Sequence, residues 1–226
     1  MAWGIPLALT AILFQTLGAL AFLRLWRYEH PDHVIPIASA TSNGAVLAFS
    51  LAVSAPVVLG LLALAVALSG VPMADYLALK WPRWRDVKVG VVALVAVLLG
   101  TSMLAAVTGV QTPGFISDTY TSARDAGLMT LLVLAFVFLG PLQEELLFRG
   151  FFFRGFAPAL GMWPATIITA AVWALSHGQY QWFFVGEIFA LGLVFGWLRG
   201  RSGSTILPLM LHAAVNAMAI VAAAMS

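Results

Sequence analysis

The chain has 226 residues, of which 62% are hydrophobic and 9% charged, with a mean hydropathy of +1.00 and a formal net charge of +2. Soluble domains carry roughly a quarter charged residues, and eleven Lys and Arg with nine Asp and Glu cannot supply a polar shell; a soluble enzyme, a disordered chain and a nucleic-acid binder are excluded. Cysteine is absent, which excludes disulfides, a thiolate nucleophile and Cys-ligated zinc.

A helix needs about 20 mostly apolar residues to cross a bilayer. The pattern predicts an all-α, polytopic membrane helix bundle of about seven (six to eight) transmembrane helices, in one integral-membrane domain over 1–226. The spans run about Trp3–Leu23, Asn43–Ser69, Val89–Val107, Leu128–Phe153, Trp163–Ser176, Trp182–Leu198 and Thr205–Ala224. The N-terminus lacks a basic region and its apolar stretch exceeds the ~7–15 residues of a signal-peptide core, so it reads as an uncleaved first span. Tyr76–Val87 mixes Trp81 and Trp84 with cations, the composition of an amphipathic stretch at headgroup level. Gly109–Ala126, rich in Gly, Ser, Thr and Asp, reads as an extramembrane loop with a turn near Pro113-Gly114. The fifth span is short enough to tilt, stop early or re-enter. With the N-terminus cytoplasmic, inner loops hold Lys80, Arg83, Arg85, Lys88, Arg154, Arg199 and Arg201, and outer loops only Arg24, Arg27 and Arg124. The positive-inside rule therefore favours that orientation. The short length and compact loops point to a prokaryotic plasma membrane.

Ionisable groups in hydrocarbon are costly, and they face cavities or partners. The C-terminal half places Glu144, Glu145 and Arg149 on the fourth span, His177 at the end of the fifth, Glu187 on the sixth, and His212 with Asn216 on the seventh. Glu145 and Arg149, four apart, share a helix face and can pair. Glu144 is turned about 100° from Glu145, which leaves it free to take a proton from water. The competing reading is that both glutamates only pair with arginines to hold helices together. His212 and Asn216 project from one face and can offer two donors to one point, a workable oxyanion hole, or can simply glue helices. Trp173 precedes His177 by one turn, where its indole can pack beneath the imidazole. Glu187 either orients His177 or snorkels outward. His30 and His33 lie in a charged loop. Gly18, Gly60, Gly100 and Gly192 suit close helix packing.

Three of these groupings form motifs. The run Glu144-Glu145-Leu146-Leu147-Phe148-Arg149-Gly150 resembles the EExxxR motif of the CAAX protease and bacteriocin-processing (ABI) family, which includes the Ras-converting CAAX endopeptidases. Trp173-Ala174-Leu175-Ser176-His177 is similar to that family's FxxxH, with Trp for Phe, and His212-Ala213-Ala214-Val215-Asn216 matches its HxxxN. The motifs are concentrated in 128–217.

The resemblance implies an intramembrane endopeptidase that cleaves near a terminus of a membrane-anchored or lipidated protein or peptide. In it Glu144, helped by His177, activates water; His212 and Asn216 stabilise the oxyanion; Glu145, Arg149 and Trp173 support the site. No cofactor is expected. A metal-dependent alternative would need zinc held by Glu144, His177 and His212 from three spans, because no HExxH pair lies on one helix. Two further alternatives are a non-proteolytic scaffold or bacteriocin-immunity protein of the same family, and a proton-coupled transporter using Glu and His as a relay. The transporter reading finds no inverted repeat in the sequence.

Overall fold

The computed structural model describes residues 4–111 and 114–225. Among them every regular element is a helix, with no strand. The elements are α1 (Gly4–Glu29), α2 (Gly44–Ala67), α3 (Trp84–Thr108), α4 (Phe115–Asp125), α5 (Met129–Leu160), α6 (Met162–Leu175), α7 (Trp182–Ser202) and α8 (Ile206–Met225). Six of them (all but α4 and α6) are long and apolar enough to cross a membrane. The chain is thus polytopic, and α6, at 14 residues, is the short fifth segment of the sequence pattern. The expected start at Trp3 and the turn at Pro113 lie outside the described residues.

Two segments carry structure that composition did not specify. The stretch anticipated as a loop contains α4, an 11-residue helix. Ser117, Asp118, Thr121 and Asp125 face outward, while Thr119 and Ala123, four apart, bury one narrow stripe. The stretch anticipated as amphipathic and at headgroup level holds one helical turn, Met73–Tyr76, followed by irregular backbone. Trp84–Val87 already forms the first turn of α3. In addition, α1 runs on to Glu29 and carries Arg24 and Arg27 on helix rather than loop. Beyond it, His30 stacks on Trp26 with ring centroids 4.0 Å apart.

The fourth span is the longest helical run, 32 residues or about 48 Å at helical rise, against a hydrocarbon core of about 30 Å. It is not a uniform α-helix. Leu134–Leu139 and Leu146–Phe152 are widened π-turns on either side of the ordinary stretch Gly140–Glu145. In the first, the Gly140 N–H bonds the Ala135 carbonyl, five residues back. The next donor in that series is position 141, a proline without an N–H. The Phe136 carbonyl, five residues before it, is served instead by Asn216 Nδ2 at 2.7 Å. In the second, the Phe153 N–H reaches the Phe148 carbonyl. The return to ordinary pitch frees a carbonyl, and Arg199 Nε donates to that of Arg149 at 3.0 Å.

The residues gather into two compact units, one of 66–111 and 144–212, the other of 4–65, 114–143 and 213–225. The second unit has a core of Ala48, Ala123, Leu132, Ala135, Val137 and Ile220. There α4 is fastened to the start of α2. Thr119 Oγ1 donates to the Ser42 carbonyl (3.1 Å), and the Gly44 N–H donates to Ser122 Oγ (2.8 Å). A Cβ at Gly44 would collide with the Thr119 carbonyl, so this contact needs glycine. In the first unit α7 lies against α6 along Gly192, Gly196 and Gly200, whose absent Cβ atoms leave room for Ala170, Thr166 and Met162. Close approach of this kind drives helix association in lipid, where the hydrophobic effect does not. Of the four glycines expected to serve packing, Gly18 and Gly192 do so, against Ser50 and Ala170. Gly60 and Gly100 have open space where a side chain would go.

Candidate active site

All the ionisable motif residues lie in the first unit. Glu144 and Glu145 end the ordinary stretch of α5, and their successive positions on the helix send them to different environments. Glu145 and Arg149 are wholly buried. Glu145 Oε1 accepts from Arg149 Nη1 at 2.8 Å, the pairing that the i, i+4 spacing predicts, and also from His212 Nδ1 at 2.9 Å. The guanidinium carbon of Arg149 lies 4.5 Å from the Trp173 ring centroid and 5.4 Å from that of Phe195. Its Nη2 donates to the Gly192 carbonyl at 3.4 Å, which the close α6–α7 packing holds in place. A buried ion pair survives only when its desolvation is offset by such contacts. The match is incomplete, because Glu145 Oε2 and Arg149 Nε are buried without a hydrogen-bond partner.

Glu144 is different. Its side chain is 28% exposed, and Oε2 accepts the Trp173 indole N–H at 2.5 Å. The same oxygen lies 4.0 Å from His177 Nε2. His177 sits in the turn just beyond α6, and its Nδ1 is 2.8 Å from the Trp173 carbonyl. A carbonyl only accepts, so Nδ1 carries the hydrogen. In the neutral ring Nε2, on the Glu144 side, is then the basic nitrogen.

Trp173 separates the two imidazoles. Its ring meets those of His177 and His212 edge-on, at centroid distances of 5.3 and 5.2 Å. His212 also stacks on Phe195 at 5.7 Å. The structure thus brings Glu144, Trp173 and His177 together, and Glu145, Arg149 and His212 together, with the indole common to both groups. The other half of the HxxxN motif, Asn216, belongs to the second unit, where its amide holds the Phe136 carbonyl. Glu187 lies beside Thr101 of α3.

One residue of the neighbourhood escaped the sequence reading. Tyr180 follows His177 by three residues in the α6–α7 connection, and its ring stacks on the imidazole at 6.3 Å. Burial pushes its phenol pKa up, and the nearby Glu144 charge pushes the same way. The phenol therefore keeps its proton. The spacing H-x-x-Y was visible, but no motif attaches to it.

The zinc alternative does not fit this donor set. Among the described residues no group of three or more His, Cys, Asp or Glu side chains is placed to hold a metal ion.

Comparison with known proteins agrees with the motifs. The chain is similar to an "Uncharacterized 24.3 kDa protein" of Escherichia coli, with 30% identity over 123 residues covering 53% of this chain and 56% of that protein. The chain thus matches little more than half the length of that relative. No solved structure matches it. Residues 126–218 match the family model described as "Type II CAAX prenyl endopeptidase Rce1-like". That segment carries EExxxR, WxxxH and HxxxN in order, and through it the chain is similar to the Rce1-like type II CAAX prenyl endopeptidases.

Proposed function

We propose that this protein is an intramembrane endopeptidase that hydrolyses a peptide bond near a terminus of a membrane-anchored or prenylated protein or peptide. One observation carries the proposal. Glu144, partly exposed beside the buried Glu145–Arg149 pair, has one carboxylate oxygen 4.0 Å from Nε2 of His177. That gap is too long for a direct hydrogen bond and suits a water shared by both. The water gives its proton to Glu144 as its oxygen attacks the carbonyl carbon. Collapse of the tetrahedral intermediate breaks the C–N bond, and the proton passes to the departing amine. The Nδ1 hydrogen of His212 lies on the Glu145 carboxylate, which fixes the ring, and the family resemblance assigns the imidazole to the oxyanion. Asn216 keeps one amide hydrogen beyond its bond to Phe136, and the family resemblance assigns it to the same task. Glu145, Arg149 and Trp173 hold these groups in place. The loop cations support an N-terminus on the cytoplasmic side of a prokaryotic plasma membrane.

The test uses purified protein in lipid nanodiscs and an internally quenched farnesylated peptide with a CAAX-type end. Loss of one preorganised oxyanion donor costs on the order of 10²–10³ in rate. His212→Ala should lose at least that much, and Glu144→Gln should abolish cleavage while staying folded. Undiminished cleavage by folded Glu144→Gln refutes the assignment.

A further inference from the structure

We infer that Trp173 is a positioning residue: its indole N–H, by holding Oε2 of Glu144, fixes the carboxylate so that it faces the shared water with His177. The inference rests on the proposed peptidase reading and deepens it. The motif that this segment resembles has phenylalanine at the corresponding place, which fills space but donates nothing. Trp173 does both. Its ring is 3% exposed and is packed by Arg149 (4.5 Å), His177 (5.3 Å), His212 (5.2 Å) and Phe195 (5.9 Å). An indole clamped on so many sides cannot rotate, so its N–H direction is fixed by the core and not by the carboxylate. Its acceptor is a carboxylate, so the bond is of the charge-assisted kind. Trp173 also tethers the other partner, because its carbonyl accepts His177 Nδ1–H. One residue thus orients both proton-handling groups, the carboxylate through its side chain and the imidazole through its backbone.

The titratable groups facing Glu144 are His177 at 4.0 Å, Tyr180, whose phenol feels the carboxylate charge, and Arg149, which is reached by that charge across the Trp173 ring. Glu145 is adjacent in sequence, and His212 lies beyond the indole. Arg149, Glu145 and His212 neutralise one another in part, and Trp173 donates a hydrogen bond to Glu144.

Trp173→Phe keeps a ring, keeps the backbone carbonyl and removes the donor. Hydrogen bonds to charged groups are strong enough to move a titration by about 1–2 pH units. The acidic limb of the pH–rate profile for the farnesylated peptide should therefore move to higher pH by about that much in Trp173→Phe. A residue that only packs would lower the rate without moving the limb. A second measurement needs no turnover. In protein labelled with ¹⁵N at its eight indoles, the signal missing from Trp173→Phe should lie downfield of the others. It should move upfield in Glu144→Gln, where the acceptor is neutral. An unmoved limb, or an indole signal indifferent to Glu144→Gln, overturns the inference. If the wild-type protein leaves the peptide intact, the peptidase reading fails while the indole signal still decides the hydrogen bond. If Trp173→Phe does not fold, a single downfield indole signal that shifts in Glu144→Gln upholds it, and no such signal overturns it.

Discussion

Asn216 and Pro141 are linked by a carbonyl that neither owns. The widened first turn of α5 assigns the Phe136 carbonyl to a donor at 141, proline has none, and Asn216 Nδ2 fills the place at 2.7 Å. Asn216→Ala leaves that carbonyl unpaired. Interhelical hydrogen bonds in membranes average about 0.6 kcal/mol, and a buried unsatisfied group costs about 1–3 kcal/mol. Asn216 is half-buried, so about 1 kcal/mol is expected. Pro141→Ala restores an N–H that can reach the same carbonyl, after which the amide is redundant. A double-mutant cycle isolates the effect, because the packing lost with the side chain is common to both backgrounds and cancels. Thermal unfolding in detergent, followed by helical circular dichroism, should show Asn216→Ala lowering the midpoint by about 2–4 °C in the native background. In the Pro141→Ala background the drop should shrink to a fraction of that. An equal drop in both backgrounds would refute the argument that proline recruits the amide.

Other substitutions probe the remaining structure. Arg149→Ala strands the Glu145 carboxylate in the core and should destabilise by about 3–5 kcal/mol, enough to prevent recovery of folded protein by size-exclusion chromatography. Gly192→Ala places a methyl 2.9 Å from the Ala170 Cβ and should cost about 1–3 kcal/mol in the same melting assay. Gly60→Ala, with open space around it, should be neutral or stabilising by up to about 1 kcal/mol through helix propensity; the reverse order of the two would contradict the packing described. For Tyr180 the sign follows from an acid whose pKa is raised. The neutral phenol persists to higher pH than a free tyrosine, whose pKa is about 10. The alkaline limb of the pH–rate profile should therefore be the same in Tyr180→Phe and wild type, and a limb near pH 10 that disappears with the hydroxyl would show the phenol to be ionising.

Much of the architecture was legible because lipid demands long apolar helices, and that pattern survives without tertiary knowledge. The pairing of Glu145 with Arg149 was legible too, since both ends lie on one helix four residues apart. The rest depended on contacts between helices. His212 and Asn216 share a face by spacing, yet their partners, Glu145 and the Phe136 carbonyl, lie far away in sequence. The Trp173–Glu144 bond spans 29 residues, so spacing suggested only that the indole packs near His177. Gly18 and Gly60 look alike in sequence, and only the neighbouring helix separates them. Helix α4 was hidden by composition, because Ser, Thr and Asp suit turns and helix exteriors equally, and the Thr119–Ala123 stripe is too narrow to announce a buried face. The π-turns have no compositional signature beyond the proline between them.

The second widened turn has a consequence for how this stretch tolerates insertions and deletions. Leu146–Phe152 holds one residue more than regular pitch would use, so it acts as a phase shift between the carboxylate pair and Phe153–Leu160. Excising the extra residue would restore regular pitch and leave the flanking segments in phase, whereas straightening the turn with every residue kept would swing Glu144 and Glu145 by about 100° relative to the segment that follows. A sequence could thus keep every letter of its motif and still aim both acids at the wrong neighbours.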